Sequence, residues 1–303
     1  MQRVCRPYER IRGAGGAMKI RCLSFFLLLC LLLTGCTAVT TNRYLISDVE
    51  NSEEYTKILN TNLSGYEIRE PKDTLYAEAA KGNAVACFDV QAIPAIEQGV
   101  GRYWYPHVLA TLVIAVDRTR TDIAVTGWNS LWESDVTVGI SSQSVIRNMM
   151  VMGAISYGLN NEMPTKEDVL IFLEYIQQNG NFKLGDSSAP IILCLDYEAV
   201  ACNQNGGNYE IVVPKEGTLS YTMGLLSDVP LTTKVGLGDA LLSAGLPLTD
   251  GRRPQGFPED YESAHRMVRE DYNWFLDVSG NSSRDLRRQV LHTRLYTTAD
   301  LRE

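Results

Sequence analysis

Polar and ionisable side chains follow directly after apolar runs at Asp89, Ser141-Ser142, Asp196-Tyr197 and Lys215-Glu216. Apolar runs of that kind read as strands. In open α/β sheets ligands bind beyond the carboxyl ends of the strands, so these positions are the candidate ligand groups. Ser141 and Ser142 also precede a helical stretch. Helix N-terminal amides and a serine hydroxyl together can hold an anion or a polar group, but Ser142 would equally serve as that helix's cap. Asp196 carries the same two readings, a cap for a helix from Tyr197 or a partner for a ligand cation. Tyr105, within Tyr103-Trp104-Tyr105, offers either core packing or a stacking wall for a ligand.

Other chemistries find less support. The chain has no Gly-x-Ser-x-Gly elbow, no P-loop and no Gly-x-Gly-x-x-Gly after a strand. Gly236-Leu237-Gly238 is a turn signal only, and Ser187-Ser188 reads as a loop. No serine and histidine stand in a context that favours catalysis, so an enzyme is not expected. His107, His265 and His292 are far apart and show no ligand spacing, so neither a metal nor a cofactor is expected. Beyond the N-terminal region the cysteines are Cys87, Cys194 and Cys202, an odd and sparse set rather than a disulfide framework. Cys194 lies in an apolar run and reads as a buried thiol; a Cys194–Cys202 bridge is the one pairing left open. With 36 acidic against 28 basic residues and a net charge of -8, the chain lacks the basic balance of a nucleic-acid binder.

The elements that must position these groups follow from the apolar pattern. Strands are expected at 43–47, 66–69 and 85–90, alternating with helices at 52–60 and 74–81, the second stopped by Gly82. The longest strand candidate is 107–117, rich in β-branched residues and bounded by Pro106. A short helix near Asn129, a strand at 136–140 and a helix over 144–157, apolar nearly all round, come next. The clearest helix is 166–178, with Val169, Leu170, Leu173 and Ile176 at helical spacing and Thr165 with Asp168 as a capping box. Strands at 190–196 and 209–213 flank a short helix at 197–204. Strand and helix alternate with short connections, which argues for mostly parallel sheets covered by helices. A long amphipathic helix from Pro258 to about Val278, with Tyr261, Tyr272 and Phe275 on one face, and a second helix over 283–292 complete the expectation. No repeat at a fixed period is visible.

The N-terminal region reads separately. Residues 22–33 are apolar but short of the ~20 needed to span a bilayer. Lys19 and Arg21 precede them, and Leu33-Thr34-Gly35-Cys36 follows. A basic start, a short apolar run and small residues at the cut describe a secretory signal. The cysteine after Thr-Gly resembles the lipobox of bacterial lipoproteins, which implies lipidation at Cys36, with two or more acyl chains as the membrane anchor. Residues 1–36 are thus expected as signal peptide and 37–42 as a tether. Met18 makes a better signal start than Met1.

Several segments, taken in order, resemble the solute-binding proteins of ABC importers, nearest the polyamine- and iron-type branch. They are residues 105–117, Thr126-Gly127-Trp128-Asn129-Ser130-Leu131-Trp132-Glu133, residues 135–139, Ile155-Ser156-Tyr157-Gly158-Leu159-Asn160, and Tyr209 through Thr218 with its Val-Pro-Lys-Glu-Gly. The resemblance spans roughly 66–226. It implies an α/β, type 2 periplasmic-binding fold of two lobes, each a mainly parallel sheet flanked by helices. Residues 43–125 plus 220–303 would form lobe one and 126–219 lobe two. A small-molecule ligand would bind between them, at Asp89, Tyr105, Ser141, Ser142, Asp196, Tyr197 and Glu216. The implied partner is an ABC permease, and the implied state is a monomer held at the extracytoplasmic face of the cell membrane. Where the polyamine branch carries acidic residues this chain has Ser141, Ser142 and Gln143, and its aromatic box is thinned at Val108-Leu109-Ala110. The alternative functions are a sensor or partner-binding lipoprotein of the same fold, or an extracellular enzyme.

Overall fold

A computed structural model describes residues 42–50, 52–132, 135–142, 144–179, 181–259, 261 and 263–279. The signal segment with Cys36, tether residues 37–41, and the helix expected over 283–292 with His292 lie outside the described residues. The described residues from Arg43 to Ser279 fall in one compact unit.

The strand–helix alternation begins as the apolar pattern dictates. β1 (Arg43–Ser47), α1 (Glu53–Asn62), β2 (Tyr66–Ile68), α2 (Leu75–Ala80) and β3 (Ala84–Phe88) follow one another. Thr74 caps α2 by accepting the Ala77 N–H at 3.3 Å. Gly82, at φ +82°, turns the chain out of that helix into β3. β1 pairs in parallel with β2 and β3. Every residue of β3 is buried, as expected of a central strand covered on both faces.

The next elements depart from the sequence expectation. Asp89 does not end the strand; it begins α3 (Asp89–Glu97), an apolar helix that tolerates Pro94. β4 runs from Tyr103 to Asp117, so Pro106 sits inside it, at a shift of register between Pro106 and Val108. Such a bulge frees the proline from a ladder bond it cannot donate. α4 (Asn129–Trp132), β5 (Val138–Ile140), α5 (Val145–Asn160) and α6 (Lys166–Asn179) come next, then a short β6 (Phe182–Leu184) that the sequence reading lacked. The Thr165–Asp168 capping box is present: Asp168 accepts the Thr165 N–H and hydroxyl, each at 2.7 Å, and Thr165 Oγ1 accepts the Asp168 N–H at 3.2 Å. β7 (Ile191–Leu195), α7 (Asp196–Gln204) and β8 (Tyr209–Val212) follow as expected, except that Asp196 is the first residue of the helix rather than its cap.

β9 (Thr218–Ser227) and α8 (Leu237–Ser243) were not among the expected elements. The helix expected from Pro258 is replaced by β10 (Ala264–Arg266) and a shorter α9 (Arg269–Ser279). β10 pairs in parallel with Thr218–Ser220 at the free edge of β9, and that backbone pairing outweighs the helical spacing of the side chains.

The hydrogen-bonded path is β2-β1-β3-β9-β4-β7-β5-β6, with β10 on β9 and β8 on β4. It resolves into two sheets that meet in β4. Residues 103–111 of β4 pair with β9, and residues 112–117 pair with β7 and β8, all antiparallel. The first sheet has the order β2-β1-β3-β9-β4 and the second β6-β5-β7-β4-β8. In each, three parallel strands are followed by one antiparallel strand that has come from the other half of the chain.

Two cross-connections tie the halves. The Trp128 indole N–H donates to Gly217 O at 2.7 Å, and the Lys215 N–H donates to Thr126 O at 3.1 Å. Trp128 is fully buried. A side chain at Gly158 would run into both that indole and the Gly217 carbonyl, so the close approach requires glycine there.

Candidate functional site

A cavity of about 340 Å³ lies largely between α7 and the second sheet, against Ala115, Ile192, Cys194 and Cys202, and extends to the start of α1. That volume lies within the range of small-molecule sites. Ser52, Tyr55 and Met223 line it from the first sheet, and Ser141, Tyr197 and Glu198 from the second. Other contacts also cross between the halves. The Ser142 hydroxyl donates to Glu50, on the loop after β1. The Tyr197 hydroxyl reaches Met223 Sδ at 3.8 Å. The Arg147 guanidinium lies 5.8 Å from the Phe88 ring centroid.

Arg147 is the charged centre of this region. It stands in the first turn of α5, otherwise an apolar helix, and its side chain is 5% exposed. Nη2 lies 2.5 Å from Glu198 Oε2 and 3.4 Å from Ser141 Oγ. Burial works against its charge, but Glu198 and then Tyr197 more than offset that, and its pKa is raised further above the ordinary arginine value. Glu198 is fixed from a second direction by the Leu195 N–H at 2.9 Å. Glu198 lines the cavity with Arg147 paired behind it, and Glu54 lines it from the first half. On the first sheet, burial pushes the Tyr55 hydroxyl well above its usual range. It sits 3.3 Å from His107 Nδ1, and burial lowers that imidazole to about 4, leaving it neutral near pH 7.

The residues singled out in the sequence fall into distinct places. Ser141 and Tyr197 line the cavity. Ser142 is buried beside it, and its Oγ also accepts the Ser144 N–H at 2.9 Å. Asp89 and Asp196 are 3% and 1% exposed, with carboxylates engaged by their own chain. Asp89 Oδ2 accepts the Thr222 N–H at 2.9 Å and the Tyr272 hydroxyl at 3.1 Å; Oδ1 accepts the Val90 N–H at 2.9 Å. Asp196 Oδ1 accepts the Tyr197 N–H at 2.8 Å, and Oδ2 accepts the Tyr261 hydroxyl at 3.1 Å. Burial raises both carboxyls to about 7, against the pull of these donors. Tyr105 lies on β4, and its hydroxyl accepts the Leu231 N–H at 2.9 Å. Glu216 accepts the Trp128 and Asn129 N–H groups at 3.1 and 3.3 Å, at the start of α4. The structure thus brings Ser141, Ser142 and Tyr197 together at the cavity, and places Glu216 at a cross-connection.

Arg147, Glu198, Tyr55, Met223 and Glu50 were missed in the sequence. One signal could have exposed part of the set. Cys87-Phe88-Asp89-Val90-Gln91-Ala92 and Cys194-Leu195-Asp196-Tyr197-Glu198-Ala199 share one pattern, a cysteine, an apolar residue, an aspartate, any residue, an amide or acid, then alanine. Each copy spans the end of a central strand and the first turn of its helix. The third helical residue does the same work in both: Gln91 Oε1 accepts the Phe88 N–H at 3.2 Å, as Glu198 accepts that of Leu195.

No family model matches this chain, and no curated protein matches it. Solved structures do. The chain is similar to iron-bound HitA from Pseudomonas aeruginosa, at 10% identity over 82% of this chain and 98% of that one, with a TM-score of 0.58. It is similar to a putative spermidine/putrescine ABC transporter from Listeria monocytogenes, at 12% identity over 84% and 100%, with a TM-score of 0.52. It is also similar to a structure described as a two-component system protein mediating signal transduction, at 15% identity over 79% and 100%, with a TM-score of 0.52. At such identities the likeness establishes the fold: the mixed α/β architecture of the ABC-transporter substrate-binding proteins that the sequence resembled.

Proposed function

We propose that this protein is an extracytoplasmic solute-binding protein that encloses a small ligand between two lobes and delivers it to an ABC permease in the membrane. The observation that carries this reading is a cavity lined from both of two sheets of identical strand order, joined through β4 and β9. Residues 43–125 plus 220–303 would be one lobe and 126–219 the other. A ligand touching Ser52 and Tyr55 on one side and Ser141 and Tyr197 on the other makes its full set of contacts only when the lobes approach. Contacts made in one state alone are what drive hinge closure. The apolar Met223 and Leu246 beside Ser52, Tyr55 and Ser141 suit a small organic solute with both polar and apolar surface. Lipidation of Cys36 would hold the protein, as a monomer, beside its permease.

The test is a thermal-shift screen of amino acids, polyamines, small organic anions and metal ions. A ligand at a hundredfold excess over its Kd stabilises the folded state by about 2.7 kcal/mol, a shift of several degrees. At least one organic solute is expected to raise Tm, and Tyr197→Ala is expected to abolish the shift. No shift across the whole panel would remove this reading. The likeness to a signal-transduction protein favours a second one, a sensor of the same fold. It would be supported by a ligand that stabilises the protein while deletion of the gene leaves uptake of that ligand unchanged.

A further inference from the structure

The segment after the loop at 249–259 touches both halves of the molecule. The Tyr261 hydroxyl donates to Asp196 at the start of α7, on the second sheet. The Tyr272 hydroxyl donates to Asp89 at the start of α3, on the first. Between these two points β10 is pinned to the beginning of β9, and the Thr218 N–H donates to Ser263 O at 3.1 Å. The His265 ring stacks on Tyr157 of α5 at 4.5 Å, which ties the same segment to the second half again. On the other side α9 packs on α3, with Arg269 Nε 3.1 Å from Glu97.

The two anchor points are built alike. Each aspartate is the first residue of a helix that follows a fully buried central strand. Each carboxylate accepts the next residue's N–H in its own helix, Val90 for Asp89 and Tyr197 for Asp196. Asp89 also accepts a backbone N–H from the antiparallel strand crossing its sheet, Thr222 of β9 at 2.9 Å, and the backbone of Thr111 on β4 lowers the Asp196 carboxyl in the same sense. Each takes its remaining donor from a tyrosine of the same short segment. One carboxylate thereby joins a sheet, a crossing strand and the segment of these tyrosines, and the arrangement occurs twice.

We propose that residues 261 and 263–272 form a latch across the hinge, holding the two sheets in one relative orientation through the Tyr261–Asp196 and Tyr272–Asp89 hydrogen bonds. Any rotation of one sheet against the other about β4 and β9 displaces Asp89 relative to Asp196. A short segment fixed to both, and pinned to β9 between them, cannot follow both at once. Both tyrosine bonds resist that rotation, beside the His265–Tyr157 stack on one side and the α9–α3 packing on the other, and loss of either weakens the same restraint. The latch stands on geometry alone and does not depend on the solute-binding reading.

The test uses the full chain, as wild type and as Tyr261→Phe and Tyr272→Phe, followed by amide hydrogen exchange without any ligand. Phenylalanine keeps the ring and removes only the hydroxyl. A latch predicts action at a distance: Tyr261→Phe accelerates exchange of the Val90 and Thr222 amides at the far anchor, and Tyr272→Phe that of Tyr197, each by roughly tenfold or more. The doubly substituted protein adds little beyond either single change, because the two bonds act in series. Acceleration confined to the altered anchor, or additive effects, would overturn the latch and leave two local structural bonds. Should a variant fail to fold, the wild type still decides. The Val90, Thr222, Tyr197 and Thr218 amides must then share one opening rate, and separate rates refute the proposal.

Discussion

Raising the pH through the weakly acidic range should weaken this fold, because two of its carboxyls are held protonated. Asp89 and Asp196 are 3% and 1% exposed, and burial lifts each from 3.8 to about 7. Between those values the folded state binds protons that the unfolded state has released. Their contribution is therefore fully present below pH 3.8 and is lost as pH rises through about 7. Each group gives a slope of up to about 1.4 kcal/mol per pH unit, so the pair gives about 2.8. His107 acts in the opposite sense. Burial lowers it from 6.5 to about 4, so its contribution grows as pH rises across that interval, at up to about 1.4 kcal/mol per unit. The wild type should then lose stability with roughly the slope of one group up to about pH 6.5, and less steeply as the pH passes 7. Asp89→Asn/Asp196→Asn removes both carboxyls and leaves His107, so its stability should rise with pH instead. Urea unfolding every half pH unit from 4.5 to 7.5, at constant ionic strength, measures both proteins. The difference between them, wild type minus variant, should fall by about 2.8 kcal/mol per unit in mid-window. A difference independent of pH would refute the assignment of two neutral, buried carboxylic acids.

Further expectations concern the ion pair and the N-terminal region. Arg147→Met leaves Glu198, 18% exposed, without its cation and should cost about 3–5 kcal/mol in urea unfolding; adding Glu198→Gln, which still accepts the Leu195 N–H, should restore more than half of that. Equal stability of the single and double variants would show that no buried charge had been stranded. Cys36→Ser should move the protein from the membrane fraction to the soluble one, and continued membrane retention would exclude lipidation at Cys36 as the anchor.

The sequence disclosed elements whose periodicity and punctuation agree. β1 to β3 with α1 and α2 between them, α6 with its Thr165–Asp168 box, and β7 appear close to where apolar runs and glycines place them. β9 carries a period-two signal, Leu219, Tyr221, Met223 and Leu225 alternating with Thr218, Ser220, Thr222 and Gly224, and the sequence reading passed it over. β10 was hidden by a competing pattern. Tyr261, Tyr272 and Phe275 are spaced as on a helix, and only the edge of β9 reveals why residues 264–266 are extended. Of the strand-end candidates, Ser141 and Tyr197 line the cavity and Ser142 is buried beside it. Asp89 and Asp196 were legible as strand-end acids, but not the direction of their carboxylates. That direction depends on Tyr272 and Tyr261, 183 and 65 residues away along the chain. Arg147 stayed invisible inside an apolar helix because its partner, Glu198, comes 51 residues later.

The interleaving of β9 between β3 and β4 dictates an order of assembly. During synthesis β3 and β4 are complete long before Thr218–Ser227 exists, and neither can pair with the other directly. Each waits with bare amide and carbonyl edges of the kind that recruit foreign strands. Pairings between such distant stretches form slowly, and half-made sheets of this sort aggregate readily. A nascent chain of this topology is thus safest if it is kept extended until its last third has been made, the state in which secretory machinery also threads its cargo.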